Sequence, residues 1–155
     1  MWALDPAITF LNHGSFGACP RPILDAQQRL REELEREPVR FLGRELEGRL
    51  DAARAALGAF IGADATDLAF VPNTTTGVNT VLRSLAVAAG DELLTTDHLY
   101  NACRNALDFA AIQAKAAVVV ARIPFPIGSA EAAVAAVLAA VSPRTRLAVL
   151  DHVTS

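Results

Sequence analysis

The chain is poor in the residues on which several functional classes depend. Its 14 Lys and Arg are outnumbered by 17 Asp and Glu, for a net charge of −3, and the basic residues are scattered rather than clustered. A protein that neutralises a phosphate backbone needs the opposite balance, so no nucleic-acid partner is expected. Long apolar runs are missing as well. The two most apolar stretches, residues 110–123 and 130–141, are interrupted by Lys115 and Arg122 or followed by Pro143, and both are too short to cross a bilayer, so no membrane partner is expected. The opening Met1-Trp2-Ala3-Leu4-Asp5-Pro6 has neither a basic start nor an apolar core, so no signal peptide is expected and the chain reads as cytosolic. Only two cysteines occur, Cys19 and Cys103; without a secretory signal they read as free thiols, and neither has the neighbours of a catalytic nucleophile. No close His, Cys or carboxylate pattern supplies a metal ligand set, since His98 and His152 lie in separate loops.

What is present is a globular composition: 52% hydrophobic and 20% charged over 155 residues, enough for a real core. Residues 8–11 read as a short extended run, and Asn12-His13-Gly14-Ser15-Phe16-Gly17 as a tight loop. Pro20 and Pro22 then introduce a helix over about residues 23–37, on which Arg29 with Glu33, Arg31 with Glu35 and Glu32 with Arg36 fall at i,i+4 spacing on a solvated face. Pro38 ends it. A second helix starts near Phe41 or Arg44, carries Leu46, Leu50, Ala53, Leu57 and Phe60 or Ile61 as one apolar stripe, and stops at Gly62. Residues 1–62 are therefore a loop and two helices.

From residue 63 to residue 155 the pattern changes to alternation. Apolar strands are expected at 68–71, 92–96, 116–123 and 146–150. Helices are expected from Val78 toward Gly90, over 101–114, and from a Ser129 cap to Val141. Strands and helices alternating at this pitch, with strands that are continuous apolar runs, predict an α/β fold: a mainly parallel sheet covered by helices. In such a sheet every loop that follows a strand opens on one edge, at the carboxyl ends where ligands bind.

Three of those loops carry chemistry. The first, Asn73-Thr74-Thr75-Thr76-Gly77, leads from a strand into a helix and brings backbone N–H groups and hydroxyls to the positive helix end, an arrangement suited to a small phosphate. The same threonines are ordinary N-cap residues, and taken alone capping is the simpler reading. No Lys follows and the dinucleotide glycine spacing is absent, which excludes a nucleoside triphosphate loop and a dinucleotide fingerprint. The second loop carries Asp97-His98-Leu99-Tyr100-Asn101, the third Asp151-His152-Val153-Thr154-Ser155. Each residue has a purely structural alternative, a packed tyrosine or a hydrogen-bonded histidine at a strand end; their convergence on one edge favours a site.

Five blocks in this order resemble the first part of the class V aminotransferase-fold enzymes, most nearly the isopenicillin N epimerase-like branch: Leu11 to Gly17, Arg40-Phe41 to Glu45, Phe70 to Asn79, Thr95 to Ala102, and Asp151 to Ser155. The resemblance implies the large domain of a pyridoxal 5′-phosphate enzyme of fold type I. It implies that Thr74, Thr75 and the backbone of Thr76 and Gly77 hold the cofactor phosphate, and that His98 lies against the pyridine ring as the catalytic residue. Thr154 and Ser155 would approach the cofactor or substrate, and Asn12, His13, Gly14 and Arg40 would line the substrate side. It further implies an amino-acid substrate, chemistry at the α-carbon or a C–S bond (epimerisation, desulfuration, C–S lysis or transamination), and a homodimer.

The chain departs from that pattern in one respect. Such enzymes join the cofactor to a lysine and pair its ring nitrogen with an Asp, both well beyond the His-Val-Thr-Ser block. The only lysine here, Lys115, sits at a helix-to-strand junction without a matching motif, and Asp151 only precedes the block. The sequence therefore reads as an N-terminal portion, inactive alone. The alternative is a non-catalytic α/β domain that binds a small phosphorylated ligand or a partner chain.

Overall fold

The computed structural model describes residues 1–154; Ser155 lies outside the described residues. The chain divides into two compact units, Met1–Phe70 and the remainder from Val71. In the first, helix α1 (His13–Phe16) is a single turn where the sequence suggested a loop, and α2 spans Arg21–Arg36 with Pro22 in its first turn. Glu37 (φ −150°, ψ 72°), before Pro38, ends α2, in keeping with the disfavoured helical region of a residue that precedes proline. After α3 (Pro38–Arg40), a π-helical stretch (Phe41–Glu45) runs into α4 (Leu46–Ile61), and Gly62 closes α4 in the left-handed region at φ 73°.

The charges expected to ladder along α2 are used differently. Among the described residues none of the three expected i,i+4 pairs closes. Glu33 instead reaches Arg49 of α4 at 2.8 Å, and Arg49 also bonds Glu45 at 2.8 Å while lying over the Phe41 ring. Residues 8–11, expected as a short extended run, and 68–71, expected as a strand, pair with no strand among the described residues. Leu68 is extended (φ −100°, ψ 132°), but Phe70 and Val71 are about half exposed, and an extended apolar run becomes a strand only where a neighbour supplies backbone partners.

The second unit opens with α5 (Thr74–Ser84) and continues through β1 (Glu92–Thr96), α6 (Asn101–Ala114), β2 (Ala117–Ala121), α7 (Ala130–Ala139) and β3 (Thr145–Val149). The sheet order is β2-β1-β3, all parallel, with β1 in the middle. Every residue of β1 is buried, and Leu93 packs with Leu82 of α5 and Leu107 and Ala111 of α6 into one core. Helix α5 stops at Ser84 rather than near Gly90, where Leu85 turns extended. Ser129 caps α7 as expected, its hydroxyl accepting from the Ala132 N–H at 3.1 Å. No helix among the described residues is long and apolar enough to cross a membrane.

At the amino ends of the strands, the buried Glu92 carboxylate accepts from the Ser142 hydroxyl (2.5 Å) and from Arg144 Nε (2.9 Å). The register shifts here: Glu92 faces Thr145 but Leu93 faces Leu147, so Arg146 is an extra residue on β3.

Two outcomes follow from this packing. Leu107 is fully buried, so Leu107→Ala should lower the stability of the second unit by roughly 2–5 kcal/mol, read as a reduced urea midpoint. The Ser142 hydroxyl, then the Arg144 guanidinium, holds the Glu92 carboxyl below the usual carboxylate range. A carboxyl lowered in the folded state stabilises above its unfolded value of about 4.3, and the contribution is lost as pH falls through the folded value. The urea midpoint of the wild type should therefore drop on acidification below that point, and Glu92→Gln should drop less steeply.

Candidate functional site

Helix α5 begins at the turn read as a phosphate loop. Asn73 is extended (φ −165°, ψ 167°), and its Oδ1 accepts from both the backbone N–H (2.9 Å) and the hydroxyl (3.1 Å) of Thr76. Gly77 N–H donates to the Asn73 carbonyl at 3.2 Å. The cap is thus Asn73, which sequence reasoning passed over in favour of the threonines, although Asn is among the strongest N-cap residues. With Thr76 and Gly77 N–H engaged, the donors left at the positive end of this helix are the N–H groups and hydroxyls of Thr74 and Thr75. Packing does not demand a glycine at 77, since a Cβ there would meet only Val71 Cγ2 at an ordinary 3.5 Å.

The second cluster lies where the strands end. His98, with its side chain 18% exposed, follows β1 and lines an apolar cleft of about 570 Å³. Thr96, Asp151, His152 and Thr154 share that lining, and Ile123, Val134, Val137 and Leu138 supply apolar wall. The structure thus brings His98, His152 and Thr154 together; Thr74 to Gly77 are not in the lining of this cleft. Ser155 is outside the described residues. Leu99, next to His98, packs against the core that contains Leu93.

Two carboxylates that the sequence did not single out as functional organise this rim. Asp97 Oδ1 accepts from the Ile123 N–H at 3.0 Å, beyond the end of β2, and Arg122 approaches its other oxygen at 3.6 Å. The Ile123 N–H is the main cause holding the Asp97 carboxyl below the usual range. Asp151 Oδ2 accepts from the Tyr100 N–H at 2.7 Å. Both contacts join residues far apart in sequence, so no local pattern announces them.

The remaining expected residues belong to the first unit. Asn12 precedes α1; the His13 ring lies 4.9 Å from that of Trp2 and edge-on to Phe10 at 4.7 Å; Gly14 is in open space. Arg40 Nε bonds Glu45 at 2.5 Å and its guanidinium lies 3.5 Å from Glu37, which together raise its pKa. Cys103 is buried, and burial with the nearby Asp151 pushes its thiol up, away from a reactive thiolate. Lys115 is exposed and caps α6 in the left-handed region at φ 56°, just before β2 begins. It lies at the amino ends of the strands, opposite His98. No group of three His, Cys, Asp or Glu among the described residues is placed to hold a metal ion.

Comparison with known proteins gives a consistent result. A family model described as aminotransferase class-V matches residues 17–155. An isopenicillin N epimerase from Amycolatopsis lactamdurans is 40% identical over 99% of this chain and 39% of its own length, and one from Streptomyces clavuligerus is 39% identical over 98% and 38%. An Arabidopsis thaliana L-cysteine desulfhydrase is 28% identical over 94% of the chain and 35% of its own length. Among solved structures, the cystine C–S lyase C-DES in complex with its product cysteine persulfide superposes with a TM-score of 0.84 at 25% identity, over 94% of this chain and 39% of that one. The chain thus spans 39% or less of the length of these relatives.

The capping geometry generates one expectation. Asn73→Ala removes the acceptor of two bonds at the start of α5 and should cost about 1 kcal/mol of stability in a urea titration.

Proposed function

The chain belongs to the aminotransferase class-V family, and from that premise we propose that it forms part of the site of a pyridoxal-phosphate enzyme acting on an amino acid. The reading places the chemistry at the substrate α-carbon or a C–S bond, the range that epimerases and C–S lyases share. The observation that carries it is the match of the family model across both strand-end loops and the α5 turn, together with the cleft into which His98 is built.

The residues present fit the cofactor. Free donors at the start of an 11-residue helix suit a phosphate dianion, and a cleft of about 570 Å³ with an imidazole in its wall suits a small aromatic ring. When bound, pyridoxal phosphate withdraws electrons from the substrate α-carbon, which labilises the bonds there. Thr74 and Thr75 donate to the phosphate, while Thr76 and Gly77 complete the turn. His98 contacts the cofactor ring and keeps water from one side of it. Thr154, in the wall of the cleft, contacts the cofactor or substrate, and the same role is assigned to Ser155 from the family pattern alone. Asn12, His13, Gly14 and Arg40 contribute to substrate binding, Arg40 by exchanging its Glu37 and Glu45 partners for a substrate carboxylate. Residues 63–155 form the first part of the cofactor-binding domain and residues 1–62 the segment before it. The protein works as a cytosolic homodimer. The 155 residues alone have no turnover, because their one lysine is at the wrong end of the strands.

Pyridoxal-phosphate titration of the full-length protein tests this. Thr75→Val should weaken binding by about 1–3 kcal/mol. His98→Ala should lower turnover and shift the cofactor's visible band, with His98→Phe retaining part of both. Unchanged affinity and an unchanged band would overturn the assignment. For the 155-residue chain, borohydride reduction in the presence of cofactor, followed by peptide mapping, should leave Lys115 unlabelled.

A further inference from the structure

We propose that Asp151 is a positioning residue for His98: together with Asp97 it ties the loop carrying the imidazole to the ends of both neighbouring strands. The inference rests on the reading that His98 contacts the cofactor, and it goes beyond it by naming what holds His98 in place.

The loop after β1 has every backbone N–H from Asp97 to Tyr100 engaged. Asp97 N–H donates to the Ala121 carbonyl (3.2 Å), His98 N–H to Thr96 Oγ1 (3.3 Å), Leu99 N–H to the Thr96 carbonyl (3.4 Å), and Tyr100 N–H to Asp151 Oδ2 (2.7 Å). The first bond reaches β2 and the two in the middle are local. The last is the shortest, is charge-assisted, and alone in this set reaches the end of β3. On the other side of His98, the Asp97 carboxylate accepts from Ile123 N–H beyond β2. His98 is thus flanked, one residue before and two after, by attachments to opposite neighbours of the central strand.

The placement of Asp151 has an electrostatic reason. Tyr100 is the N-cap residue of α6, so the carboxylate stands at the positive end of a 14-residue helix, where negative charge is stabilised. Tyr100 itself makes no side-chain cap to its helix, and the Asp151 carboxylate accepts its N–H instead. Asp151 also lines the same cleft as His98, so the group that anchors the loop is part of the wall the imidazole belongs to.

The experiment uses the full-length protein, with Asp151→Ala and Asp151→Asn beside His98→Ala. Two readouts are taken: amide hydrogen exchange of residues 98–100 without cofactor, and the visible band with pyridoxal phosphate bound. The expected result is that Asp151→Ala speeds exchange at 98–100 by about tenfold or more, as loss of a charged acceptor allows, and shifts the band in the direction that His98→Ala shifts it. Asp151→Asn, which keeps a carbonyl acceptor without the charge, should fall between wild type and Asp151→Ala in both, and the double variant Asp151→Ala/His98→Ala should shift the band no further than His98→Ala alone. Unchanged exchange in Asp151→Ala would overturn the proposal. So would faster exchange with an unmoved band while His98→Ala moves it, since the contact would then be structural only. If His98→Ala itself leaves the band unmoved, the cofactor reading of His98 falls, and the positioning role for chemistry falls with it.

Discussion

A strand buried along its whole length has nowhere to leave a backbone group unpaired, and β1 is such a strand. Its five residues are all buried, and their hydrogen bonds go to β2 on one side and β3 on the other. Neither neighbour arrives by a short turn: a parallel partner requires a crossover, here α6 before β2 and α7 before β3. The burial of Leu93, Leu94 and Thr95 therefore fixes where both crossovers must begin and end. The loop bearing His98 is one of those beginnings. Its position follows from the need to satisfy the central strand rather than from any property of the loop.

The two ends of the sheet are held by carboxylates in different ways. At the amino end Glu92 is paired with a guanidinium and a hydroxyl, which joins β1 to the turn before β3 by side chains. At the carboxyl end Asp97 and Asp151 accept from backbone N–H groups of neighbouring loops. A side chain bonded to a main chain locates a segment without occupying its side chains, which leaves His98, His152 and Thr154 free for the cleft. In the first unit, by contrast, Arg40 and Arg49 share Glu45 through bonds between side chains.

How much of this was legible in the sequence depends on the range of the interaction. The strand at Glu92–Thr96 and the helix at Asn101–Ala114 were readable residue for residue, because apolar runs and periodicity act within one element. The Ser129 cap and the Gly62 stop were readable for the same reason. Residues 68–71 misled because strand propensity says nothing about whether a partner lies alongside. The α2 charges misled because Glu33 found a better partner 16 positions away. In the site, the residue types and their convergence on one edge were visible, while Asn73, Asp97 and Asp151 were not given their roles. The first competes with three adjacent threonines, and the other two act across 26 and 51 positions.

The extra residue on β3 bears on more than the start of that strand. In a strand, neighbouring side chains point to opposite faces, so a single inserted position inverts the orientation of everything after it. Arg146 is that position: Glu92 pairs with Thr145, and the ladder resumes with Leu93 at Leu147. Four residues on from the resumption stands Asp151. Without the bulge, the side chain at the matching level would be Leu150, an alkyl group facing the Tyr100 amide. The irregularity at one end of the strand thus sets the phase with which its acidic residue emerges at the other, some five residues and an entire sheet height away from where the count was changed.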